Sequence, residues 1–372
     1  MPPFPAATAP ERLLLGAGPS PVDPRVLAAQ AQPTVGHRDP FAFAVAEQVA
    51  DMLRTVFRTR NTATLAVAGT GTAGMETAML NLVEPGDTVI VGVNGSYGAR
   101  VADLARRAGA EVVELEEPWG RAVPAERIES ALRAHPETRV VALVHAETST
   151  GVHQPLAEVG ALLAGTEALF VVDVVTSLGG VPLEVDAWGI DAAYACTQGC
   201  LSVPPGLAPV TFSERAVDRL RQRATSVRSS YLDLTGALAW WGPEHDDHHA
   251  VPVNALLGLH EGLRIVLEEG LETRWARHAE VGELFQDHVQ DRDAVLLADA
   301  GHRLPQLTTL AWPAAVDAAT LRRRLLDEHG IEVAGGTGGF AERGWRVGLM
   351  GQAARHEVVD RLLDAVDELL EG

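Results

Sequence analysis

The chain has 372 residues, 47% hydrophobic and 22% charged, which is the composition of a soluble globular protein with room for two domains. Its formal net charge of −20 argues against nucleic acid and anionic membrane as partners, because both reward basic surfaces. All 30 residues counted as Lys or Arg are arginine, so the chain contains no lysine.

Two cysteines, Cys196 and Cys200, imply no disulfide framework. The opening MPPFPAATAPERLLLGAG lacks a basic start and holds only a three-leucine run. Neither a signal peptide nor a membrane span is expected from it, and a cytoplasmic protein is the default.

Residues 12–24 join a short strand-like run to Pro/Gly/Ser turn signals, and 21–32 can start a short helix. Residues 41–57 carry Val45, Val49, Met52, Leu53 and Val56 at helical spacing. A buried strand over 62–68 runs into Gly69-Thr70-Gly71-Thr72-Ala73-Gly74, and a helix is expected over 75–82. Strand 88–93, a helix to 107, strand 111–115, helix 124–134 and strand 139–145 follow. Residues 168–172 form an apolar run ending on Asp173; residues 191–196 form another, ending at Thr197-Gln198-Gly199-Cys200. Strands that end on polar residues suggest a parallel α/β sheet whose strand ends line a site. Strand 207–212 and helices 214–222, 253–267 and 271–290 come next. Strands 304–311 and 331–333 and amphipathic helices 317–328 and 356–370 complete the chain. This pattern predicts an N-terminal arm (1–22), a large α/β domain (23–269) and a small C-terminal α+β domain (270–372), with the boundary near Gly270.

The spacing of Gly69, Gly71 and Gly74 matches G-x-G-x-x-G, which aims backbone N–H groups and a helix N-terminus at a phosphate. A dinucleotide site would also need an acid at the end of the next strand, but that strand runs into Gly92-Val93-Asn94-Gly95. Nicotinamide dinucleotide is therefore rejected. The run Glu244-His245-Asp246-Asp247-His248-His249 offers imidazole and carboxylate groups suited to a metal. Adjacent residues seldom chelate one ion, so no metal is expected.

Taken in order, these segments resemble the fold-type-I pyridoxal-phosphate enzymes, specifically the class V aminotransferases of the alanine:glyoxylate and serine:pyruvate group. The family pattern Asp-x-x-x-Ser-x-Gly-Gly matches Asp173, Ser177, Gly179 and Gly180; Thr197, Gln198, Pro204, Pro205 and Gly206 fit the stretch that follows. The resemblance implies a mainly parallel central sheet flanked by helices, plus a smaller C-terminal α+β domain. It implies that Asp173 pairs with the pyridine nitrogen, that Thr70, Gly71 and Thr72 hold the phosphate, and that Tyr97 stacks on the ring. Ser149, in Glu147-Thr148-Ser149-Thr150-Gly151, would bond the 3′-oxygen region, with Gln198 beside it. Arg346, in Arg346-Val347-Gly348-Leu349-Met350-Gly351, would clamp a substrate carboxylate, and His37 would lie in a substrate-side loop. Each has an ordinary structural alternative: a surface loop for His37, a core aromatic for Tyr97, a helix cap for Ser149, a half-exposed strand for Arg346.

Four positions depart from the family pattern. Gly199 stands where the Lys that bonds the cofactor is expected, and Thr72 where His is frequent. Asp247 and Ala250 replace a Tyr and a Thr that reach the neighbouring subunit's phosphate. An anionic Asp247 repels a phosphate and Ala250 donates nothing. The first expectation is an aminotransferase-like enzyme acting on a small amino or oxo acid. It would hold pyridoxal or pyridoxamine phosphate non-covalently, with Asp173, His37, Tyr97 or water handling protons, and would work as a homodimer whose site lies at the interface. The alternatives are an enzyme that reuses the cleft without the cofactor, drawing on Asp247, His248, His249 and Cys200, and an inactive binding or partner subunit. An engineered Gly199 would explain neither Asp247 nor Ala250.

Overall fold

A computed structural model describes residue 4 and residues 6–371. The expectations placed on residues 1–3, 5 and 372 lie outside the described residues. The N-terminal segment gives strand β1 (Leu13–Leu14), then α1 (Pro24–Gln30) and α2 (Pro40–Phe57). Asp39 starts α2 by accepting the Phe41 N–H at 2.8 Å, with Pro40 supplying a preset φ at the first helical position.

β2 (Ala63–Gly69), α3 (Gly71–Leu82), β3 (Thr88–Val93), α4 (Ser96–Ala108), β4 (Glu111–Glu116), α5 (Ala125–Ala134) and β5 (Val140–Val144) follow in alternation. A short hairpin of β6 (Ala146–Glu147) and β7 (Val152–His153) leads to α6 (Ala157–Leu163), β8 (Leu169–Asp173), β9 (Ala192–Tyr194) and β10 (Gly206–Phe212). These build a seven-stranded sheet in the order β2-β10-β9-β8-β5-β3-β4. β10 runs antiparallel to β2 and β9, and the remaining neighbours are parallel. The architecture is the one the resemblance implied: a mixed, mostly parallel sheet between layers of helices. Six strands, β2, β9, β8, β5, β3 and β4, thus deliver their C-terminal ends to one edge, and that edge is the natural place for a site.

One apolar layer packs Phe57, Phe170, Val172 and Leu263 on one face of the sheet; a second packs Met79, Val91, Val171 and Phe212 on the other. Both sides of the strands are covered, which is why they read as continuous apolar runs rather than alternating ones. α7 (Glu214–Arg221), α8 (Leu234–Trp241), α9 (Val253–Glu269) and α10 (Leu271–Gln290) follow, with Gly270 at φ +83° turning the chain between the last two.

The remainder forms a four-stranded antiparallel sheet, β11 (Val295–Leu296), β12 (Leu307–Ala311), β14 (Ala334–Gly335) and β15 (Gly344–Gly348), in the order β11-β12-β15-β14. Together with α11 (Ala318–His329) and α12 (His356–Glu371) it has its own core around Trp345, Phe285 and Leu325. β1 pairs in parallel with β13 (Ile331–Glu332), so the start of the chain is tied to this C-terminal unit. Among the described residues, no helix is long and apolar enough to cross a membrane.

Candidate active site at the strand ends

Asp173 closes β8, the middle strand of the sheet, and is 2% exposed. Its Oδ1 accepts the Val175 N–H at 2.8 Å, while its Oδ2 is buried with no hydrogen-bond partner. Tyr194 is its register partner on β9; the phenol sits beside the carboxylate without closing a hydrogen bond of normal geometry. Burial pushes the Asp173 pKa up from 3.8 to about 7, the Val175 N–H and the Tyr194 hydroxyl pull against that rise, and the charge of Glu147 adds to it.

The helix expected over 75–82 begins earlier, at Gly71, with Thr70 as its N-cap. The Gly/Thr run reads as a loop, yet Gly71 is glycine for packing: a Cβ there would lie 2.9 Å from Val175 Cγ2 and 3.3 Å from Cys196 Cβ. The first turn of α3 is thereby pressed against the segments after β8 and β9. Thr70 and Thr72 are exposed at that turn, and the Thr70 side chain makes no capping bond.

α4 begins where β3 ends and carries Tyr97, half-buried, with the Arg100 guanidinium 5.0 Å over its ring. Burial raises the Tyr97 pKa; Asp173, Glu147, Arg100 and Arg346 all act on it electrostatically. Arg346, on β15, donates from Nε to the Gly335 carbonyl at 2.9 Å. Among the described residues no carboxylate lies within ion-pair distance of it. Burial lowers its pKa, and Tyr97 and Glu147 oppose that shift. Asp173, Tyr97, Glu147 and Arg346 therefore share one electrostatic environment. Gln198 is half-buried with a buried, unpartnered Oε1.

The Ser149 hydroxyl is already engaged: it donates to Glu147 Oε1 and accepts the Ser96 N–H at 2.9 Å. It ties β6 to α4, with one lone pair left for a ligand. Gly199 accepts at its carbonyl from Ser20 Oγ at 2.7 Å, and a Cβ there would stand 3.0 Å from the Val175 carbonyl oxygen and 3.5 Å from Cys196 Sγ.

Other candidates lie elsewhere within one chain. His37 Nε2 meets Asp247 Oδ1 at 3.1 Å, on the exposed side. His248 donates from Nε2 to the Tyr231 carbonyl at 3.2 Å, and the His249 ring lies tilted against Tyr231 with centroids 4.8 Å apart. Among the described residues, no hydrogen bond or ion pair joins this cluster to Asp173, Tyr97 or Arg346. Cys200 is buried, its Sγ 3.5 Å from the Thr176 carbonyl, and burial pushes its thiol up to about 12. A thiol so placed is poor in thiolate at neutral pH, which weighs against a nucleophilic role for it.

The donor set fits a phosphorylated pyridine in three respects. Asp173 offers one buried, unpartnered oxygen to a ring N–H, Tyr97 offers a ring face, and the first turn of α3 offers free N–H groups and hydroxyls to a phosphate. It offers no amine for a covalent bond, because the chain has no lysine. Three residues that sequence reasoning gave no role stand out: Glu147, Tyr194 and Arg100. Of these only Glu147, an acid inside a wholly buried strand end, carried a readable signal.

The aminotransferase class-V family model matches residues 13–358. The chain is 39% identical over 366 residues to the alanine–glyoxylate aminotransferase of Mus musculus, covering 97% of this chain and 88% of that one. It is 36% identical over 380 residues to the (S)-ureidoglycine–glyoxylate transaminase of Bacillus subtilis (strain 168), covering 97% and 91%. Among solved structures, an alanine–glyoxylate aminotransferase from Nostoc sp. matches with a TM-score of 0.96 at 45% identity, over 99% of this chain and 97% of that one.

Proposed function

The chain belongs to the aminotransferase class-V family, and on that premise we propose that it transfers an amino group between a small amino acid and a small oxo acid, holding pyridoxal or pyridoxamine phosphate without a covalent bond. The observation that carries the reading is Asp173, fully buried at the strand ends with one oxygen unpartnered. A buried carboxylate without a partner is costly, and sites keep such groups for a ligand. When bound, the cofactor supplies an electron sink for the bonds at the substrate's α-carbon. Asp173 holds the proton at the ring nitrogen, Tyr97 packs its face, and the turn Thr70–Thr72 holds the phosphate. Arg346, free of any carboxylate of its own, takes the substrate's carboxylate through its two remaining amino groups. The named relatives share glyoxylate, so a small oxo acid of that kind is the proposed amino acceptor.

In this reading Gly199 occupies the position at which relatives carry the cofactor-bonding lysine. The acid–base contribution of such a group, roughly 10²–10⁴-fold, then falls to water or to a group outside this cluster. The test is the near-UV and visible spectrum of the purified protein after adding pyridoxamine or pyridoxal phosphate and dialysing. We expect a retained cofactor band, and conversion of retained pyridoxamine phosphate to the aldehyde form when glyoxylate is added. A protein that retains neither form would sink this reading in favour of a cleft reused without the cofactor or of an inactive partner subunit.

A further inference from the structure

Glu147 lies at the end of the β6 segment, fully buried, and every group that touches its carboxylate is a donor. Oε2 accepts the N–H groups of Tyr97 at 3.1 Å and Gly98 at 3.2 Å; Oε1 accepts the Ser149 N–H at 3.0 Å and the Ser149 hydroxyl. Four donor contacts suit a carboxylate, and they oppose the burial that raises the Glu147 pKa. The two helical N–H groups belong to the first turn of α4, where the backbone needs an acceptor and favours negative charge. α4 has no side-chain cap of its own, and its N-cap is Gly95. A Cβ at Gly95 would collide with the Glu147 side chain and Ser149 Oγ, so the glycine is what admits the acid from the neighbouring strand.

We propose that Glu147 is a positioning residue of this site: from β6 it caps α4 so that Tyr97 is held in place, and its charge sets the ionisation of Asp173 and balances Arg346 while no substrate carboxylate is present. The inference rests on the reading of Asp173 and Tyr97 as the groups that receive a pyridine ring. Asp173 is coupled electrostatically to its register partner Tyr194 on β9, to Cys196 in the turn after it, to Tyr97 on α4 and to Glu147 on β6. Of these, Glu147 is the acid whose surrounding donors favour the charged form, against the burial that raises its pKa. Removing that charge eases the ionisation of Asp173, so its midpoint moves down.

The experiment uses Glu147→Gln. Gln keeps the length but presents an amide NH₂ to one of the two donor pairs, which dislodges either the Tyr97 turn or the Ser149 clamp. Affinity for pyridoxamine phosphate, followed by Tyr and Trp fluorescence, should fall about tenfold or more. The ionisation midpoint of Asp173 in the ligand-free protein, read by carboxyl ¹³C NMR and assigned with Asp173→Asn, should fall below that of the parent. Ser149→Ala should weaken pyridoxamine phosphate binding while leaving the midpoint in place, because it removes a clamp and no charge. It stands in for the positioning test if Glu147→Gln does not fold. An unchanged affinity or an unchanged midpoint in a folded Glu147→Gln protein overturns the proposal. If the parent itself binds no pyridoxamine phosphate, the functional reading fails, while the midpoint still judges Glu147.

Discussion

Asp173 shows what a site costs a fold. Its pKa lies near 7 in the folded chain against 3.8 in its ordinary state, so the ionised form is disfavoured by folding. Below pH of about 4 both states are protonated and the residue costs nothing; the penalty grows as pH rises through that window and levels off above about 7. A shift of that size corresponds to about 4 kcal/mol as an upper figure. Asp173→Asn keeps the Oδ1 acceptor for the Val175 N–H and removes the charge. It should therefore stabilise the protein by up to about 4 kcal/mol at pH 8 and by almost nothing at pH 4, while abolishing retention of pyridoxamine phosphate. Guanidinium unfolding midpoints at the two pH values check this; equal stabilisation at both would mean that the burial of Asp173 is not what matters.

The elements around that residue are joined by polar groups that act across long sequence distances. Arg274 on α10 is 1% exposed, donates from Nε to the Gly179 carbonyl at 3.1 Å, and also serves the Cys200 carbonyl and Glu269. It holds the segments after β8 and β9 from behind. Arg274→Met orphans two buried carbonyls and should destabilise by about 2–4 kcal/mol, whereas Arg107→Met, whose partner is the exposed Asp103, should change stability by under about 0.5 kcal/mol. Urea midpoints of the two variants compare them directly, and similar values would remove Arg274 from its bracing role.

Such links explain what the sequence made legible. Val171 and Val172 before Asp173, and Val45, Val49 and Leu53 along α2, are read from spacing because burial of a strand or a helix face is a local pattern. The antiparallel course of β10 is not readable, since Leu207 to Phe212 is equally apolar in either direction. The pairing of Leu13 with Ile331 spans the whole chain. The start of α3 at Gly71 depends on Val175 and Cys196 arriving beside it. Asp173, Tyr97 and Arg346 were legible through their neighbours in sequence; their shared environment with Glu147 was not, because it arises only where β6, α4 and β15 converge.

At the scale of the molecule the absence of lysine is not explained by packing. Arg107 meets Asp103 through a single nitrogen at 2.7 Å, and Arg133 meets Glu129 in the same way at 2.7 Å; an ammonium would serve both exposed pairs equally well. The chemical consequence is definite. A guanidinium does not condense with a simple aldehyde as an amine does, so this chain presents only its α-amino group to pyridoxal phosphate or glyoxylate. Incubation with pyridoxal phosphate followed by borohydride should leave the intact mass of the protein with at most one reduced adduct, at the chain start. Gly199→Lys should add one more, mapped to position 199. The substitution is sterically within reach, since its Cβ meets the Val175 carbonyl at 3.0 Å and needs a displacement of only a few tenths of an ångström. A folded Gly199→Lys protein that takes no adduct at 199 would show that this position does not face the ring, and the cofactor reading of the strand-end site would have to be rebuilt from Asp173 alone.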